Sequence, residues 1–169
     1  MQFQNENEKI LIIDFGSQVT KLIARRIRDL GVYSEVITPT EIKSIPSFNF
    51  IKGIILSGGP STVTKREFQN IPKDILQKKI PILGICYGLQ LISKINGGKI
   101  KSSKKRREFG RALLFKKKNS LLTKNFFKSK TSVWMSHEDT VVKLPKNFST
   151  VAYTKDSKFT ILENRKKKI

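Results

Sequence analysis

The sequence predicts an α/β fold: a largely parallel central sheet flanked by helices, with an antiparallel extension in the second half. Three observations predict it. Near-continuous apolar runs recur at Ile10–Asp14, Ile51–Leu56 and Ile80–Ile85, as strands covered on both faces require. Segments with helical periodicity follow the first and the last of these runs, which implies βαβ units. The second half instead carries short β-like segments with few helical signals between them.

Taken in order, Ile10–Asp14 is the first strand and ends at Gly16-Ser17, where Ser17 is the expected helix N-cap. Val19 to Leu30 reads as a helix whose inner face is Leu22, Ile23, Ile27 and Leu30. Gly31 stands where a glycine just past a helix belongs. Tyr33–Ile37 is a second strand, Ile51–Leu56 a third and Ile80–Ile85 a fourth, with Tyr87–Ile95 a helix after it. Arg111–Lys116, Thr131–Met135, Ser149–Thr154 and Lys158–Glu163 are the β-like segments of the extension, expected as an edge of the same sheet. There is no internal repeat and no linker-like stretch, so residues 1–169 read as one domain.

The charge balance is strongly basic: 34 Lys and Arg against 13 acidic residues give +21 and a pI near 10.3. A nucleic-acid binder is one reading of that excess. The basic residues are scattered, however, with short clusters at Lys104–Arg107, Lys116–Lys118 and Arg165–Lys168, and aromatics are not interleaved as a stacking platform needs. The expectation is a solvated surface with no specific nucleic-acid partner. The polar start MQFQNENEK is no secretory signal and no run is long enough to span a membrane. A single cysteine excludes an internal disulfide and fits a reducing, cytoplasmic setting.

That cysteine carries the chemistry. Gly84-Ile85-Cys86-Tyr87-Gly88 follows a buried strand and opens a helix, the spacing of a nucleophile elbow with Cys in place of Ser. A tight strand-to-helix turn projects the thiol, the helix N-terminus favours its thiolate, and the N–H of Tyr87 faces an oxyanion. A small buried structural cysteine is the simpler reading of the pentapeptide alone. Ser57-Gly58-Gly59-Pro60 adds weight, because it lies after another parallel strand, where α/β folds build sites. Its backbone offers a second oxyanion N–H.

Five segments together resemble the class I glutamine amidotransferases, and specifically the amidotransferase domain of GMP synthases. They are IDFGSQ (Ile13–Gln18), SGGPS (Ser57–Ser61), GICYGLQ (Gly84–Gln90), REFGRA (Arg107–Ala112) and VWMSH (Val133–His137). The resemblance runs from Lys9 to Ile169. It implies that Cys86 attacks the side-chain amide of L-glutamine and that Gly59 and Tyr87 supply the oxyanion donors. Gly58, Gln90, Ser136, His137 and Asp139 are the implied glutamine-binding residues, and no metal is implied. It also implies a partner, an ATP-pyrophosphatase domain or subunit that turns XMP into GMP. ATP and Mg2+ belong to that partner, and this domain takes no cofactor.

The chain departs from the pattern in three places. The family's triad His and Glu come from a later FHPE-like motif, and residues 1–169 contain no such motif. The one histidine, His137, matches a substrate-side family position rather than the triad. Glu138 stands where the family has glycine, at an expected cost of about 1–2 kcal/mol if the backbone there is left-handed. No ATP-pyrophosphatase sequence is present in residues 1–169. The expectation is a C-terminally incomplete amidotransferase domain, with the last strands of the fold missing, a bare sheet edge and little turnover. An inactive remnant that keeps the fold as an interaction module is the alternative.

Overall fold

In the structure, a computed structural model, residues 8–102 and 108–169 are described. Residues 1–7 of the polar start, the basic cluster Lys104–Arg107 and the first residue of REFGRA lie outside the described residues. The chain divides into two compact units, one formed by the residues up to Leu91 with Lys167–Ile169, the other by Ile92–Lys166.

The first unit is built on four strands, β1 (Lys9–Ile13), β2 (Ser34–Ile37), β3 (Ile51–Leu56) and β4 (Ile82–Gly84). They form one parallel sheet in the order β2-β1-β3-β4. The expected parallel sheet is therefore present, with each strand within about two residues of its expected place. Leu11, Ile12, Ile13, Ile54 and Leu56 are almost wholly buried, which is why these strands read as continuous apolar runs rather than alternating ones. The edge strand β4 receives one backbone contact from the last residues, the Ile82 N–H donating to the Lys168 carbonyl at 2.9 Å.

Helix α1 (Thr20–Asp29) links β1 to β2. Its end is as expected. Gly31 has φ +79°, its N–H bonds to Arg28 at 2.8 Å and the Val32 N–H bonds to Ile27 at 3.3 Å, the paired bonds of a Schellman closure. Its start is not. Val19, not Ser17, is the N-cap residue, and no side chain caps it. Ser17 is drawn into a turn instead, because the Asp14 carboxylate accepts its N–H at 3.2 Å and the Thr20 hydroxyl at 2.7 Å. The inner face also shifts: Thr20 and Ala24 are buried and Ile23 and Ile27 half-buried, while Leu22 and Leu30 are exposed. Leu22 falls on the far side of the helix by its 100° steps, and Leu30 is already the C-cap residue.

The second unit is antiparallel. Strands β6 (Glu108–Lys116), β7 (Lys130–His137), β9 (Ser149–Tyr153) and β10 (Ile161–Glu163) form a four-stranded sheet in the order β10-β9-β6-β7. The four expected segments are strands, but they make their own sheet instead of continuing the parallel one. Neighbours in sequence pair as β6 with β7 and β9 with β10, so each can close locally without reaching the edge of another sheet. A further pair, β5 (Lys99–Ser102) with β8 (Asp139–Lys143), is also antiparallel. Helix α2 (Tyr87–Ile95) follows β4 as expected. No helix among the described residues is long and apolar enough to cross a membrane.

Candidate active site

The strand order places the chemistry. β1 pairs with β2 on one side and with β3 on the other, so the direction of winding reverses between β1 and β3. Ligands bind at the carboxyl ends of strands at such a switch point. The loops Asp14–Ser17, after β1, and Ser57–Pro60, after β3, lie there and are bonded together: the Phe15 N–H donates to the Ser57 hydroxyl at 3.0 Å.

The elbow after β4 has the expected strain. Cys86 is one of three non-glycine residues with positive φ among those described, at +51°, and its side chain is exposed. A strained backbone at an exposed thiol makes Cys86 the candidate reactive group of the site. The turn is pinned by backbone bonds from Ile85 to Leu56 at 2.9 Å and from Gly88 to Ser57 at 3.1 Å. The need for glycine at 88 comes from β3: a Cβ there would lie 2.3 Å from the Leu56 carbonyl oxygen. Gly59 is equally constrained, since a Cβ there would lie 2.4 Å from the Phe15 carbonyl oxygen. A Cβ on Gly58 would sit 3.6 Å from the Cβ of Cys86, so the glycine loop runs beside that thiol.

Tyr87 anchors the start of α2. Its ring is fully buried and packs 4.9 Å from the ring of Phe15. Its hydroxyl donates to the Gln69 carbonyl at 2.5 Å, and burial pushes its pKa up to about 12. The backbone N–H of Tyr87 belongs to the first turn of the helix, where donors lack intrahelical acceptors. Gln90, one turn on, is buried, and its N–H bonds the Cys86 carbonyl at 3.1 Å.

Two residues of the site were not among the expected ones. Asp14 Oδ1 accepts the Thr20 hydroxyl at 2.7 Å and the N–H groups of Gly16 and Ser17 at 2.9 and 3.2 Å. Burial alone opposes its charge, but the Thr20 hydroxyl, those two N–H groups and the Ser57 hydroxyl outweigh it and hold its pKa below the ordinary value. Ser57 is the second, wholly buried between the two loops. A carboxylate closing an apolar strand just before Gly-Ser was the available signal for Asp14.

Asp14 sets a pH dependence. A depressed folded pKa means a contribution to stability that is fully present above the unfolded value near 3.8 and is lost as pH falls through the lower folded value. Asp14→Asn is expected to melt below wild type at neutral pH, with the gap closing as the acid limb is crossed. Thermal melts across that range check it, and a gap that stays constant contradicts it.

Ser136, His137 and Asp139 lie in the second unit, around the bend from β7 to β8. Glu108, directly across the ladder from His137, places its carboxylate Oε2 3.0 Å from the His137 Nε2. Its other oxygen accepts the Thr154 hydroxyl at 2.6 Å. The histidine thus faces a carboxylate of its own sheet, a partner that the spacing of REFGRA and WMSH did not reveal. Glu138 has no left-handed backbone, because among the described residues the positive-φ residues other than glycine are Cys86, Asn147 and Lys168. The strain expected of a glutamate there is absent. Among the described residues, no group of three or more His, Cys, Asp and Glu could hold a metal ion.

Comparison with known proteins places the chain in a family. The model of the glutamine amidotransferase class-I family matches residues 11–169. A glutamine-hydrolysing GMP synthase of Treponema denticola is 44% identical over 167 residues, covering 99% of this chain and 32% of that protein. One from Staphylococcus aureus strain Newman is 40% identical over 173 residues, covering 100% of this chain and 32% of that protein. The chain therefore spans about a third of the length of the curated relatives it matches. A Thermoplasma acidophilum crystal structure, provisionally described as one subunit of a GMP synthase, superposes with a TM-score of 0.80 at 25% identity, over 96% of this chain and 80% of that one. A Thermotoga maritima glutamine amidotransferase shares the fold, with a TM-score of 0.72 at 19% identity over 94% of this chain and 74% of that one.

Proposed function

The chain belongs to the glutamine amidotransferase class-I family, and from that premise we propose that it is the glutamine-hydrolysing part of a GMP synthase. The observation that carries the reading is the exposed Cys86 at φ +51° beside the Gly58-Gly59 loop. The Cys86 sulfur attacks the side-chain carboxamide carbon of L-glutamine. The N–H groups of Gly59 and Tyr87 take the charge that develops on the oxygen. The carbon–nitrogen bond breaks, the nitrogen takes a proton and leaves as ammonia, and a γ-glutamyl thioester remains. Water cleaves the thioester to glutamate and the free thiol. Gly58, Gln90, Ser136, His137 and Asp139 are assigned to holding the glutamine. The step uses no cofactor of its own. In the whole enzyme, a cytoplasmic one, the ammonia passes to an ATP-pyrophosphatase domain or subunit that uses ATP and Mg2+ to convert XMP to GMP.

The general base is the open element of the scheme. The family's His-Glu pair is not among residues 1–169, and a positioned base contributes about 10²–10⁴-fold. Slow ammonia release from L-glutamine is therefore expected for these 169 residues, and none above background for Cys86→Ala. Equal release by the two would refute the assignment of Cys86.

A further inference from the structure

We propose that Ser57 is a positioning residue: its hydroxyl locks the Gly58–Gly59 peptide in the orientation that aims the Gly59 N–H at the oxyanion. The inference rests on the glutaminase reading above and names the group that sets one half of its oxyanion site.

The need for a lock follows from the glycines. Gly59 accepts no side chain, because a Cβ would lie 2.4 Å from the Phe15 carbonyl oxygen. Gly58 lies directly against Cys86, 3.6 Å from its Cβ to the position a side chain would start from. Closeness to the nucleophile thus demands two small residues in succession. A peptide between two glycines is also the one that rotates most freely, since neither flank restricts φ and ψ. The loop that must approach the thiol is by its composition the loop least able to hold one orientation.

Ser57 supplies the missing constraint. Its hydroxyl donates to the Gly58 carbonyl at 2.7 Å and accepts the Phe15 N–H at 3.0 Å. The same proton is shared with the Asp14 carboxylate at the longer distance of 3.3 Å, so the bond to Gly58 is the stronger arm of the fork. The side chain is fully buried, with 0% exposure, and water cannot replace it. The peptide is planar and trans, as no cis bond occurs among the described residues. Its N–H therefore points opposite to its carbonyl. Fastening the Gly58 carbonyl to the buried hydroxyl turns the Gly59 N–H away from that hydroxyl. A rotated peptide would bury its carbonyl without this donor and present an oxygen, not an N–H, to the negative charge.

The test uses 6-diazo-5-oxo-L-norleucine, a glutamine analogue whose ketone oxygen occupies the oxyanion position, against iodoacetamide, which needs no oxyanion donors. Loss of one such donor costs about 10²–10³-fold, and loosening one costs part of that. Ser57→Ala is expected to label with the analogue about tenfold more slowly, while iodoacetamide labelling stays within about twofold. Ser57→Thr, which keeps a hydroxyl, is expected to restore the analogue rate to within about threefold. A folded Ser57→Ala chain that labels at the wild-type rate overturns the proposal. Should Ser57→Ala not fold, Ser57→Thr decides: a folded chain that keeps the bond to Gly58 in its crystal structure yet labels at background overturns it equally. Failure of wild type itself to react with the analogue is a separate result. It refutes the glutaminase reading and this inference with it.

Discussion

Cys86→Gly is expected to abolish labelling and glutamine chemistry while melting at a higher temperature than Cys86→Ala. Both variants remove the only thiol in the chain, so neither can form a thioester. They differ in backbone freedom. Position 86 has φ +51°, a left-handed conformation that costs an L-residue with a Cβ about 1–2 kcal/mol and glycine almost nothing. The greater freedom of glycine in the unfolded chain takes back about 0.5–1 kcal/mol. The exposed thiol contributes little packing to lose. The net expectation is a gain for glycine over alanine of about 1 kcal/mol, or roughly 2–4 °C for a chain of this size. Differential scanning calorimetry of the pair measures it. An alanine variant as stable as the glycine variant would mean that the elbow stores no strain.

Gly88→Ala is expected to have the largest effect on folding. Two residues after the nucleophile, a methyl group would meet the Leu56 carbonyl oxygen at 2.3 Å, its Cβ at 2.7 Å and its carbonyl carbon at 2.9 Å. Those atoms belong to the central strand β3, where Leu56 is wholly buried, so none can step aside as a flexible side chain does. Alanine favours a helix over glycine by about 1 kcal/mol, which pulls the other way. Overpacking against rigid backbone costs about 1–3 kcal/mol and sometimes more, and here the start of α2 must move off the sheet. A net loss of about 2 kcal/mol is expected, a drop in melting temperature of roughly 4–8 °C. The Gly88 N–H bond to Ser57 breaks with the same movement, so the reaction of Cys86 with the glutamine analogue is expected to slow as well. A variant that melts and reacts like wild type would show that the elbow does not depend on its contact with β3.

The parallel sheet was legible because burial on both faces leaves a plain mark, the near-continuous apolar runs of β1 and β3. Gly31 was legible for a comparable reason, since a Schellman closure demands its backbone conformation. Ser17 misled because capping is a competition. The Asp14 carboxylate, invisible to a rule that looks only at the residue before a helix, takes the N–H of Ser17 and moves the cap to Val19. The antiparallel half was legible as strands but not as a separate sheet, because alternation along a strand says which residues face inward and nothing about which sheet they join. β5 and β8 were missed altogether: Lys99–Ser102 carries a single apolar residue, so no period of two can be read from it.

In the site the same division holds. Cys86, Gly58, Gly59 and Tyr87 were legible as candidates because each sits in a local turn or in close approach to a neighbouring backbone. Ser57 and Glu108 were not, because their roles arise from bonds to residues distant in sequence, whereas Asp14 was missed although its bonds to Gly16, Ser17 and Thr20 are local. Ser57 meets Phe15 from another strand end, and Glu108 meets His137 across a ladder and Thr154 from a separate loop.

The most direct measurement is the rate at which 6-diazo-5-oxo-L-norleucine modifies the wild-type chain, with the adduct located by peptide mass spectrometry and the rate repeated with L-glutamine present. A single adduct on Cys86, slowed by L-glutamine and not by D-glutamine, is the predicted result. An analogue that reacts no faster than a thiol reagent lacking the glutamine framework, with no protection by L-glutamine, would contradict it.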